Sequence, residues 1–156
     1  MSKEIANAIK ESVTEVISTY TGKMPELVDT IVRTENVALG EISAIVGLTG
    51  EKLRGAFVVS FEKKLLFSIV AALFGEEPKE INQEVLDAAG EITNMICGGF
   101  RRRFEKFGPT LKASVPSMVT GKNHTITTLC KTPRLVFKYK VDDAFLIVEF
   151  CLDKTA

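Results

Sequence analysis

Asp87-Ala88-Ala89-Gly90-Glu91-Ile92-Thr93-Asn94-Met95-Ile96-Cys97-Gly98 is the stretch on which the reading of this chain turns. Residues 87, 91, 94 and 98 step by four, three and four. At about 100° per residue this sets an acid, an acid, a carboxamide and a glycine on one narrow stripe of an α-helix. Val85, Leu86, Ala88, Ala89, Ile92, Ile96 and Gly99 supply a wide apolar face around it. Such a helix is buried on most sides and shows water a single polar strip.

Working outward, Ile5, Ile9, Val13, Val16, Ile17 and Tyr20 recur at helical spacing, so residues 3–20 form an amphipathic helix closed by Thr21-Gly22. A short strand near Val28 to Val32 follows, then Ile42, Ala44, Val46 and Leu48 alternate in a strand, and Thr49 to Lys52 turn into another, Arg54 to Phe61. Leu65 to Phe74 reads as a short buried helix stopped by Gly75 and Pro78. The central helix runs from about Gln83 to Phe107. Behind it come a strand around Ala113 to Thr120, a turn at Gly121 to His124, a strand through Ile126 to Cys130, and a hairpin of 135–141 and 146–152 about Asp142-Asp143. Two long helices, each followed by strands, give an α+β fold with the helices on a largely antiparallel sheet and a hint of internal pseudo-symmetry. No stretch resembles an interdomain linker, so residues 1–156 are expected to form one domain.

Composition narrows the function. Twenty basic and twenty acidic residues cancel among 156, which argues against a general nucleic-acid or anionic-membrane binder. The N-terminus lacks the apolar core of a signal peptide, and the longest apolar run is about half of a membrane span. A soluble cytoplasmic protein is the expectation. Cys97, Cys130 and Cys151 are odd in number, far apart and without a C-x-x-C pair, and His124 is the one histidine, so three buried thiols and no metal site are expected. His124 itself reads as an exposed loop residue.

The pattern of Asp or Ser, three residues, Glu, two residues, Asn, and a Pro some twenty residues later stands here as Asp87, Glu91, Asn94 and Pro116. It resembles the signature of the CheC/CheX/FliY family of chemotaxis phosphatases. The resemblance extends to the N-terminal helix, to Val46-Gly47-Leu48-Thr49-Gly50 with Gly55 and Ser60, and to Leu73-Phe74-Gly75, and so covers nearly the whole chain. CheC-like members carry two copies of the Glu and Asn pair. Here the first helix offers Glu11, Glu15 and Ser18, with no asparagine, so one site and the CheX-type branch are implied.

The resemblance implies an enzyme that removes the phosphoryl group from the aspartate of a phosphorylated CheY-type response regulator, with Glu91 and Asn94 catalytic. No cofactor is implied in this chain, magnesium being held by the regulator. Phosphoryl transfer depends mostly on positioning and charge stabilisation. A carboxamide can orient the attacking water without adding charge beside the phosphoryl oxygens, which is the role expected of Asn94. Glu91, one turn earlier, is expected to pair with the regulator's active-site lysine. Asp87 is read as a peripheral contact or helix-start charge, and Gly98 as clearance for the partner's loops, offsetting the roughly 1 kcal/mol a helical glycine costs. Gly99 points into the apolar face, where close packing on another helix suffices. Arg101 and Arg102 flank the stripe and are candidate contacts to an acidic regulator surface, although favourable charge at a helix C-terminus also accounts for them. CheX-type relatives imply a homodimer, for which the edge of the C-terminal hairpin offers a place. The rival reading is a non-catalytic regulator-binding module similar to the flagellar switch proteins. Recruitment to a regulator outside chemotaxis also stays open.

Overall fold

The computed structural model describes residues 2–33, 40–122, 124 and 130–155. The chain runs α1 (Ser2–Thr21), β1 (Glu26–Arg33), β2 (Ile42–Gly50), β3 (Leu53–Phe61), α2 (Lys63–Phe74), α3 (Gln83–Phe104), β4 (Lys112–Ala113), β5 (Ser117–Thr120), β6 (Arg134–Val141) and β7 (Ala144–Lys154). All strands join one sheet in the order β1-β6-β7-β3-β2-β4, with β5 also on β2, and every pairing is antiparallel. The expected α+β architecture is present, with α2 as a third, shorter helix.

Strand alternation sends two sets of side chains to opposite faces of the sheet. Ile42, Val46, Leu48, Phe57, Val59, Phe137 and Phe150 meet the helices and are buried with Ile9, Val13, Ile17, Ile92, Ile96 and Phe100. Phe100 fixes α3 to the sheet: its ring centroid lies 4.9 Å from that of Phe150, 5.6 Å from Phe57 and 5.5 Å from Phe104. On the far face Val58, Val136, Ile147, Ser43 and Ser60 are buried too. There Arg134 Nη1 donates to Glu149 Oε2 at 3.0 Å, a buried ion pair of the kind whose one-sided removal costs about 3–5 kcal/mol.

Several sequence expectations are corrected. Cys130 and Cys151 are joined by a disulfide, with Cα atoms 6.3 Å apart. Asp153 makes this juxtaposition by accepting from the backbone N–H groups of Lys131 and Thr132 and from the Thr132 hydroxyl, which folds residues 130–133 back against β7. Only Cys97 is a free buried thiol among the described residues. The strand expected at 113–120 is broken into β4 and β5 by Ser114-Val115-Pro116. The C-terminal hairpin has no free edge, since β1 covers β6 and β3 covers β7. Among the described residues β1 forms the edge of the sheet opposite β4 and β5, and its residues 26–30 are exposed on both faces.

The end of α2 also departs from its reading as a buried helix. Leu73 and Phe74 continue the face of Ile69 and Val70 by one turn, but the helix outruns the core, leaving them 52% and 64% exposed. Gly75 closes α2 in the left-handed region at φ 81°, its N–H on the Ala71 carbonyl. His124 is half-buried rather than exposed. Its Nδ1 lies 2.6 Å from the Gly121 carbonyl, which can only accept, so in the neutral ring Nε2 accepts from the Ser43 hydroxyl at 2.9 Å. The strand expected through Ile126 lies outside the described residues.

Candidate functional site

The centre of the site is α3, held on three sides. Asn82 caps its start, the side-chain oxygen accepting from the Val85 N–H at 3.1 Å. Glu84 in the first turn and Arg101, Arg102 and Arg103 in the last suit the helix dipole. Val85, Ala89, Ile92, Ile96 and Phe100 anchor the helix in the core. Beside α1 the two backbones come close at Gly99, where a Cβ would stand 3.1 Å from Ser12 Oγ. The close-packing reading of Gly99 therefore holds.

Arg103 locks the same seam. Its guanidinium donates to Glu11 at 3.1 Å, Glu15 at 2.9 Å, the Ser12 hydroxyl at 3.1 Å and the Gly99 carbonyl at 3.2 Å. The acidic row on α1 is thus neutralised inside the molecule. Ser18 in turn donates to the carbonyl of Glu15.

What remains open is the strip on α3. Glu91 and Asn94 are both exposed, and neither makes a hydrogen bond or ion pair among the described residues. The two groups are thereby available, on adjacent turns of a rigid helix. Asp87, also exposed, accepts from the Gln83 side chain at 2.7 Å. Gly98 is half-buried and a Cβ there would meet only Arg102 Nη1, at 3.7 Å, so nothing within the described chain demands a glycine. Arg101 donates to the Leu111 carbonyl at 3.2 Å and is half-buried, whereas Arg102 is exposed and reaches Glu15 at 3.8 Å.

Two apolar banks, which the sequence did not announce, border the strip. On one side stand Leu73 and Phe74 of α2 with Tyr20 and Met95, the Tyr20 hydroxyl meeting the Met95 sulfur at 3.0 Å. On the other, the broken edge strand runs alongside α3 in the opposite sense, Met118 beside Gly90 and Leu111 beside Arg101. Its middle residue Val115 is 85% exposed and Pro116 half-buried. A clue was present in the sequence: Leu73-Phe74 at the tip of a helix, and a valine beside a strand-breaking proline.

Beneath the strip, burial pushes the Cys97 thiol up to about 11, with Arg101 opposing in part, so this thiol stays protonated and inert at neutral pH. Among the described residues no group of three His, Cys, Asp or Glu side chains is placed to hold a metal ion, and no helix is long and apolar enough to cross a membrane.

Residues 42–140 match the family model described as chemotaxis phosphatase CheX. The chain is 26% identical over 153 residues to the CheY-P phosphatase CheX of Thermotoga maritima, covering 96% of this chain and 98% of that protein. The chemotaxis protein CheX of Desulfovibrio desulfuricans is 37% identical, with a TM-score of 0.85 over 96% of this chain and 99% of that one. The chain also resembles one from the CheX-CheY-BeF3-Mg2+ complex of Borrelia burgdorferi, with a TM-score of 0.77, 16% identity and coverage of 96% and 97%. At that identity the likeness is one of fold.

Proposed function

Because the chain belongs to the chemotaxis phosphatase CheX family, we propose that it hydrolyses the aspartyl phosphate of a CheY-type response regulator, using Glu91 and Asn94 on the exposed strip of α3. The observation that carries this is the pair itself: a carboxylate and a carboxamide one turn apart, both without partners among the described residues, on a helix pinned by Phe100 and Arg103.

An aspartyl phosphate is an acyl phosphate already held by the regulator's own magnesium and lysine. The part left to supply is a water in line with the phosphorus. In the proposed reaction Asn94 orients that water, its oxygen attacks phosphorus, and the bond to the aspartyl oxygen breaks, giving free carboxylate and inorganic phosphate. Glu91 pairs with the regulator's lysine and sets the register of Asn94. Asp87 and Arg102 lie at the rim as partner contacts, and Gly98 leaves room for the regulator's loops. Arg101, tied to Leu111, is placed to contribute only from the side.

In this reading the chain acts in the cytoplasm, where such regulators work, and needs no cofactor of its own. It acts as a homodimer, supported by the two-sided exposure of β1 at the sheet's edge. The test is to incubate the protein with CheY-type regulators of the same genome, phosphorylated from acetyl phosphate with Mg2+, and to follow phosphate release. Acceleration that disappears in Asn94→Ala supports the proposal. Binding without acceleration for every regulator makes the chain a recruitment module.

A further inference from the structure

Between the tip of α2 and the first two turns of α3 lies an open groove of roughly 430 Å³. One wall is apolar: Leu73, Phe74 and Tyr20. The other carries Glu84, Asp87 and Glu91. Of these carboxylates, Asp87 accepts from Gln83, and Glu84 and Glu91 have no partner among the described residues. Exposing a phenylalanine and a leucine side by side is unfavourable in water unless something covers them.

The walls restrict the occupant. A purely apolar surface would strip water from three carboxylates without pairing them. An anionic surface would be repelled. A side chain with an aliphatic stem and a cationic head satisfies both walls, the stem lying on Phe74 and Leu73 and the head reaching the carboxylates. Glu91 belongs to the groove and to the catalytic strip alike, so whatever docks at the strip overlies the groove.

We propose that the groove receives a basic side chain of the response regulator, a lysine or arginine separate from the one that pairs with Glu91, and that Phe74 and Glu84 thereby determine which regulator is accepted. This rests on the phosphatase reading for the identity of the partner. The groove acts on docking and leaves the in-line water to Asn94.

The experiment measures the affinity of a CheY-type regulator, held in its beryllofluoride–Mg2+ form, and the turnover of its phosphorylated form, at low and at moderate salt. Phe74→Ser is expected to weaken binding and raise KM by about tenfold with kcat within about twofold. Phe74→Tyr, which keeps the ring, should restore both. Glu84→Gln should weaken binding at low salt and flatten its salt dependence, because one opposed charge is lost. Both residues are exposed, and circular dichroism checks that the variants remain folded. If wild type binds but does not dephosphorylate, while Phe74→Ser weakens that binding, the phosphatase reading fails and the groove assignment stands. Affinities within twofold of wild type for both Phe74→Ser and Glu84→Gln overturn the assignment, as does failure of the wild type to bind any regulator. A changed oligomeric mass in Phe74→Ser would give the groove to a second copy and overturn it too.

Discussion

In the proposed reaction Asn94 and Glu91 have different tasks, and their substitutions should separate accordingly. Asn94→Ala removes an exposed carboxamide, so the fold stays intact, kcat falls by about 10²-fold and regulator affinity persists, because water orientation acts only in the transition state. Glu91→Gln should weaken binding and slow turnover together, since a misdocked helix misplaces Asn94. Glu15→Gln and Ser18→Ala should leave turnover unchanged, and the former should alter stability by no more than about 0.5 kcal/mol, because its partner Arg103 keeps three other acceptors. Assaying dephosphorylation and binding for all four variants decides it; comparable losses from both helices would mean two working sites. The buried ionisable side chains set the alkaline limit. Cys97 and Tyr139 are raised by burial from 9.0 to about 11 and from 10.0 to about 12. Each folded group holds its proton longer than the unfolded one, so their contributions are complete below pH 9 and 10 and disappear as pH rises through 11 and 12, by about 2–3 kcal/mol apiece. Denaturant titrations should show stability falling across this window, and Cys97→Ala should remove the part between pH 9 and 11. At this scale the sequence disclosed the strip, because spacing alone aligns 87, 91, 94 and 98. It hid Arg103, whose four acceptors come from an element about ninety residues away and from its own preceding turn.

Elements show where periodicity informs and where it stops. The helices could be read because burial of one face forces the 3.6 repeat, and α3 begins as expected at Gln83, though it ends at Phe104 and continues to Phe107 only as turns. The tip of α2 could not, since Leu73 and Phe74 obey the same repeat as Ile69 and Val70, and only the extent of the core decides which are covered. The break between β4 and β5 follows from Pro116, which has no N–H for a ladder. The disulfide was invisible because its partners are 21 residues apart and meet only through the fold-back at Asp153. A loop of that size implies about 3 kcal/mol of stabilisation from the cross-link. Reducing agent should therefore lower the melting temperature by several degrees, and the oxidised chain should take up thiol reagent at one cysteine only after unfolding. Thiol counts of three in the untreated, unfolded protein would contradict the pairing.

At the scale of the molecule, sheet order was the least legible property. Alternation identifies strands but not neighbours, and the hairpin β6–β7, the clearest local signal, turned out to be interior because a strand from the first third of the chain covers it. That strand, β1, carries the dimer prediction. Light scattering should give twice the chain mass, and Val28→Lys with Val32→Lys should give the monomer, since symmetric edge pairing would bring like charges together. An unchanged mass would move the contact elsewhere. The placement of β1 also bears on how the chain acquires its shape. Its one pairing partner among the described residues, β6, lies on the order of a hundred residues downstream, so the loop closed by that contact is among the longest in the fold and slow to form. While the ribosome is still making α3, the partner of Leu27, Val28 and Val32 does not yet exist, so β1 has to wait for β6 to be made before it can join the sheet.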